Sequence, residues 1–303
     1  MIKTMLSGLI PAFIVLLSLS IPVGIVWVVR YRERQRKRSP LSQHLLRSPG
    51  ESLRSELDDR MWDLAGYLMA LPLIPLMFYA MHLRRALDTG GAPKLSGLLV
   101  VVGLMLFGFV SFQTIKTIRK VWKLRLGYDA ELAMGQELDQ LMRQGAVVFH
   151  DVPAAGFNID HVLVAPNGVF AIETKGRSKP NRDRGTEDAK VVYDGSCLNF
   201  PGWVETKPLE QARRQAAWLS KWLTSAVGEA VTVRPVLALP GWFVERKSRS
   251  DVLLISGREA PSILKAKQEA LPENMIKRIE HQLEQRCRDV EPSMYKKREQ
   301  ISS

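Results

Sequence analysis

Cysteine is nearly missing from this chain. Cys197 and Cys287 are the only two among 303 residues, far apart and without a Cys-x-x-Cys pair. Such spacing excludes a disulfide framework and suggests no zinc site, which leaves two reduced thiols as the plain reading. No P-loop, no Gly-x-Ser-x-Gly elbow and no dinucleotide fingerprint occurs, so those three routes to phosphate, ester and hydride chemistry have no support. No internal repeat is present. Charge is also missing, but only locally. Residues 7–29 (SGLIPAFIVLLSLSIPVGIVWVV) and 96–115 (SGLLVVVGLMLFGFVSFQTI) contain no charged side chain.

Both stretches are long enough to cross a bilayer as helices. A third candidate, 64–81 (LAGYLMALPLIPLMFYAM), is shorter and interrupted by Pro72 and Pro75. Proline is tolerated in a membrane helix where neighbours satisfy the freed carbonyls. RYRERQRKR follows the first stretch directly, as a stop-transfer flank rather than a signal-peptide cleavage site. Placing that basic run inside gives three crossings, an external N-terminus and a cytosolic C-terminal part at the inner membrane. The lipid bilayer is thus one expected partner. Residues 1–115 hold 13 basic and 7 acidic side chains, and 116–303 hold 30 and 24. Half of the net charge of +12 is therefore topology signal; the other half suits a polyanionic ligand only weakly.

The expected organisation is a membrane region over 1–125, one cytosolic domain over 126–290 and a polar tail over 291–303. In YDAELAMGQELDQLMRQG, Leu132, Leu138, Leu141 and Met142 recur at near-helical spacing, and Gly145 is a natural stop. AVVFHDV (146–152) predicts a strand, and 158–176 a hairpin. GRSKPNRDRGTEDAK (176–190) reads as a mobile loop, and 191–200 as a second hairpin about Asp194-Gly195. A helix starts with Pro208 in its first turn and turns Leu209, Ala212, Ala216, Leu219 and Leu223 inward. VRPVLALPG (233–241) and VLLIS (252–256) read as buried strands. A last helix near 273–290 aligns Ile276, Ile279, Leu283, Cys287 and Val290. This order predicts an α/β sandwich with a mixed sheet, preceded by transmembrane helices.

The hairpin NIDHVLVAPNGVFAIETKG carries the chemistry. Residues two apart share a strand face, so Glu173 and Lys175 point one way and Phe170, Ile172 and Thr174 the other. If Ala165 closes the turn opposite Gly168, Asp160 lies across from Glu173. Pro-Asn-Gly also suits a type I turn with a glycine bulge, and that one-residue slip would set Asp160 against Thr174. In the first register two carboxylates converge and repel unless a cation lies between them. Mg²⁺, a hard ion that takes oxygen ligands, suits that place, with Mn²⁺ as a substitute. Lys175 beside it would steer a nucleophilic water and offset charge on phosphorus. The rival reading is a cross-strand Asp/Glu/Lys salt bridge. Against it, the strands are apolar on both faces, where charges need a reason.

Asp160 followed by Glu173-Thr174-Lys175 resembles the D…(D/E)xK core of the restriction-endonuclease-like superfamily. GYDAE (127–131), the hairpin and PLEQ (208–211) together resemble the nuclease-related domain family, NERD, over roughly 124–245. That resemblance implies a restriction-endonuclease-like α/β/α domain and Mg²⁺-dependent nuclease activity; the expected partner is nucleic acid, DNA in preference to RNA. It places metal ligands at Asp160, Glu173 and Glu131, catalytic groups at Lys175, Glu173 and Asp160, and a supporting glutamine at Gln211. Two positions depart from the pattern. Ala130 stands where glycine is common, and Lys207 where asparagine is common; neither is a ligand.

Other side chains have two readings each. Lys179, Arg182 and Arg184 grip phosphates or form a solvated loop. Trp203 and Trp242, each after Pro-Gly, stack on bases or pack at the domain edge. His161 faces away from Asp160 and reads as a packed histidine. The pair His150-Asp151 reads as a local hydrogen bond.

Overall fold

The computed structural model describes residues 20–21, 24–29, 31–33, 43–89, 97–180, 188–266 and 270–292. Most of the 7–29 stretch and of the 291–303 tail, together with Arg182 and Arg184 of the 176–190 loop, lie outside these residues. Contacts divide the chain into two units, one of which comprises Gln43–Leu57 and Lys123–Glu291. The other contains Asp58–Trp122.

The apolar runs form two long helices, α1 (Glu51–Thr89) and α2 (Gly97–Asp139). Among the described residues, these two are long and apolar enough to cross a membrane. Pro72 and Pro75 lie inside α1 without ending it. Helix α2 also runs on past the apolar stretch. Its C-terminal part is the helix expected over GYDAELAMGQELD, so one continuous helix replaces two separate elements.

The larger unit is built on a five-stranded mixed sheet. Its strands are β1 (Val147–Pro153), β2 (Asn158–Ala165), β3 (Gly168–Thr174), β7 (Val233–Ala238) and β9 (Leu253–Ile255), in the order β1-β2-β3-β7-β9. The pairs β1/β2 and β2/β3 are antiparallel; β3/β7 and β7/β9 are parallel. A second sheet, ordered β6-β5-β4-β8, holds β4 (Lys190–Tyr193), β5 (Leu198–Phe200), β6 (Trp203–Glu205) and β8 (Phe243–Arg246). The expected hairpin at 191–200 is its antiparallel β4/β5 pair.

Both faces of the first sheet are covered. On one face Val162, Val164, Val169 and Ala171 pack on α3 (Lys207–Val227) and α4 (Glu273–Cys287), through Ala216, Leu219, Leu223, Ile279 and Leu283. On the other, Leu163, Ala165, Phe170 and Ile172 meet Met134 and Leu138 of α2 and Leu141 of the 3-10 turn Gln140–Gln144. Double coverage explains why β3 is buried at every position and reads as an unbroken apolar run until Glu173. Met134, not Leu132 or Met142, completes the inward stripe of α2: Met142 is exposed, because the turn tightens to 3-10 before Gly145 caps it in the left-handed region. Val290 lies beyond α4, bridged to Leu45.

Candidate active site

The register of the hairpin is the unslipped one. Ala165 pairs with Gly168 and Val164 with Val169, and the ladder continues inward to His161 and Ile172. There it stops. Counting on, Asp160 stands opposite Glu173, but the two backbones do not pair. Instead the Asp160 carboxylate accepts the Thr174 N–H at 2.6 Å, filling in for the missing ladder bond. The β1/β2 ladder skips at the same level: His150 pairs with His161 and Val152 with Ile159, while Asp151 and Asp160 are left between. Asp151 there takes a left-handed backbone, φ 47°. Three acids on three adjacent strands thus share one row where regular pairing has lapsed.

Glu131 comes from α2. The helix is locked against the end of β3 by Gly176, since a Cβ there would sit 2.6 Å from the Leu126 carbonyl and 3.0 Å from the Ala130 Cβ. Gly176 supplies the room that a glycine at position 130 would otherwise give. Lys175 continues β3 by donating its backbone N–H to Ala238 O at 2.9 Å, and its Nζ forms an ion pair with Glu173 Oε1. The other oxygen, Glu173 Oε2, accepts from Gln215 Nε2 at 2.5 Å. These groups lie at the carboxyl ends of parallel strands β3 and β7, the end where open α/β sheets place ligands.

The electrostatics fit one shared, poorly hydrated site. Burial, then the charges of Asp151 and Glu173, push the Glu131 carboxyl up to about 8, with Lys175 pulling the other way. Asp160 is driven well above the usual carboxylate range by burial and by Glu173 and Glu131, against the Thr174 N–H and Lys175. Acids that raise one another in this way keep their protons unless a cation stands among them, and once ionised they outnumber the single Lys175 ammonium. Oxygen donors with surplus negative charge suit a hard dication. Gln215 Oε1 adds a buried acceptor that receives no hydrogen bond. No group of three His, Cys, Asp or Glu side chains among the described residues is arranged as a ready metal site, however. The oxygens of Glu173 and one of Asp160 are turned to protein donors instead.

Asp160, Glu173, Lys175 and Glu131 are therefore brought to one place. Gln211 is half-buried in the first turns of α3 and has no hydrogen bond to the cluster; Gln215, four residues on along the same face, makes the contact. Sequence reasoning missed it, although helical spacing from Gln211 was a usable signal. His161 is fully buried on the opposite face, its Nδ1 2.9 Å from His150 Nδ1, and burial holds it well below the usual histidine range. Trp242 is buried and donates to Arg177 O; Trp203 stacks on Phe200 at 4.7 Å between centroids, so both serve packing here. Lys179 is exposed. Asp151 does bond locally, to Asn158, but its main partners are Arg47 and Ser52, roughly a hundred residues earlier.

No curated protein and no solved structure matches the chain. A family model does, over residues 126–240, and it spans every side chain of the cluster. That model is the nuclease-related domain, NERD, and residues 126–240 of this chain match it.

Proposed function

We propose that this protein is a membrane-anchored, Mg²⁺-dependent nuclease that hydrolyses phosphodiester bonds of nucleic acid, DNA before RNA, at the cytosolic face. The observation that carries the reading is the row of acids at the lapsed ladder, closed by Glu131 and Lys175. Asp160, Glu173 and Glu131 would hold the ion, with Glu173 exchanging its Lys175 partner for it. When bound, Mg²⁺ supplies Lewis-acid polarisation of a phosphoryl oxygen and favours hydroxide over water.

The chain's own groups do the rest. Lys175, freed from Glu173, orients the attacking water and offsets charge gathering on phosphorus. Gln215 keeps Glu173 facing the site, and the Thr174 N–H keeps Asp160 there. Water adds to phosphorus, the ester P–O bond breaks, and the leaving oxygen takes a proton. The apolar stretches of α1, α2 and 7–29 hold the domain at the bilayer. The basic segment 116–125 suits the side of the membrane where the positive-inside rule puts it.

One observation favours a second reading, a catalytically silent nucleic-acid-binding or membrane-interaction module: both Glu173 oxygens already have protein partners. Cleavage of duplex DNA, single-stranded DNA and RNA by the detergent-purified full chain separates the two. The nuclease reading expects cutting with Mg²⁺ or Mn²⁺, none with chelator, and none from Lys175→Ala. Salt-dependent binding with no cutting in any metal would establish the silent module.

A further inference from the structure

Asp151 is a buried acid that the proposed chemistry does not use. A non-glycine residue in the left-handed region persists where its surroundings over-determine it, and such strain gathers at working sites. Four donors hold this one. Oδ2 accepts from Arg47 Nη1 at 2.7 Å, Ser52 N–H at 3.0 Å and Ser52 Oγ at 2.6 Å; Oδ1 accepts from Asn158 Nδ2 at 3.0 Å. Arg47 also grips Asp289 with two bonds of 2.7 and 2.8 Å, and its backbone N–H reaches Cys287 O at 3.0 Å.

Segment 47–52 then crosses α2 on one face. A Cβ on Gly50 would meet the Tyr128 ring at 2.8 Å and Glu131 Oε2 at 3.5 Å; one on Gly135 would meet Pro49 at 2.6 Å. Residues 128, 131 and 135 lie one above the other on a helix, so the strap lies across the carboxylate of Glu131 and helps to shield it. From Asp151 the bonding continues inward. Asn158, which holds both Asp151 and Ser52 Oγ, accepts Gln215 Nε2 on its backbone carbonyl at 3.2 Å, and that same Nε2 grips Glu173.

We infer that residues 47–52 are a strap that completes the site, and that Ser52 and Asp151 are positioning residues which fix Glu173 through Asn158 and Gln215. The matched region 126–240 lacks this strap, so on its own it would be an incomplete site. The inference rests on the nuclease reading for its kinetic consequence, but not for its structural one.

The test uses the full chain in detergent, with Ser52→Ala, Ser52→Thr and Asp151→Asn. Loss of a group that orients a ligand typically costs about tenfold. Ser52→Ala should lower kcat by about tenfold with KM for DNA changed by less than about twofold, while Ser52→Thr, which keeps the hydroxyl, stays near the parent. Asp151→Asn should lose more; if it does not fold, the Ser52 pair decides. A kcat for Ser52→Ala within about twofold of the parent overturns the inference, as does a loss that Ser52→Thr shares. Hydrogen exchange gives a readout without activity. Ser52→Ala should speed exchange at 158–160 and 173–175 while leaving the buried ladder at 162–165 unchanged; unchanged exchange at both, or faster exchange throughout, overturns it. Should the parent cut nothing, the nuclease reading falls and exchange alone judges the strap.

Discussion

The two ends of the β2–β3 hairpin are made from one chain pattern and behave oppositely. At the turn end Val164 and Val169 pair in register, the strand side chains on either side of the turn are buried, and helices cover both faces. At the open end, four pairs away, the ladder lapses, the side chains become acids, and one N–H is satisfied by a carboxylate instead of a carbonyl. The regular half supplies stability. The irregular half uses that stability to hold like charges together, which no isolated pair of strands would tolerate.

That contrast predicts a double dissociation. Asp160→Asn and Glu173→Ala should lower cleavage by about 10²–10³-fold, the range seen when one group that meets transition-state charge is removed. Thermal denaturation should show Asp160→Asn no less stable than the parent, since the amide oxygen can still accept the Thr174 N–H and has no charge to bury. Phe170→Ala, on the same hairpin but in the apolar half, should cost about 3–5 kcal/mol of stability and reduce activity only through unfolding. If the two kinds of variant cannot be told apart by melting, the division of labour is wrong.

Most of the fold was legible because burial repeats. The run 162–172, the stripe Leu209, Ala212, Ala216, Leu219 and Leu223, and the glycine at 145 each carry a periodic or conformational signal that survives in one sequence. The hairpin register rested on two turn geometries that the residues allow equally; the strand pairing, with Ala165 opposite Gly168, shows which one forms, and the Asn167 amide anchors that turn by donating to Ile263 O and Ala266 O at 3.0 and 3.1 Å. The acidic cluster was legible as residue types at a spacing. The strap was not, since Arg47, Ser52 and Asp151 are polar, aperiodic and joined across about a hundred residues. Gln215 fell between these cases, on the right helical face and one turn from the expected Gln211.

Smaller effects sharpen the comparison. Gly176→Ala brings a methyl group onto the Leu126 carbonyl, a backbone atom that cannot turn aside, and should cost about 1–3 kcal/mol by denaturant unfolding. Gln215→Ala should lower kcat about tenfold, whereas Gln211→Ala should stay within about twofold under the same assay.

A further effect is one of pH. Glu131 is raised from 4.5 to about 8 in the folded chain, so between those values the folded state keeps a proton that the unfolded state has released. Stability in chelator should therefore fall as pH rises from about 5 to about 8, and Asp160 adds to the same slope. Glu131→Gln should flatten it, and Mg²⁺ should restore at pH 8 what the rise in pH removes. A slope that Glu131→Gln leaves unchanged would place the titration elsewhere.

Calorimetric titration of Mn²⁺ into the full chain at pH 8 reports on the acidic row without any substrate. One site per chain, abolished by Asp160→Asn and by Glu173→Gln and spared by Gln211→Ala, is the expected result. No binding by the parent chain, or binding that survives loss of both carboxylates, would contradict a dication shared at the end of the hairpin.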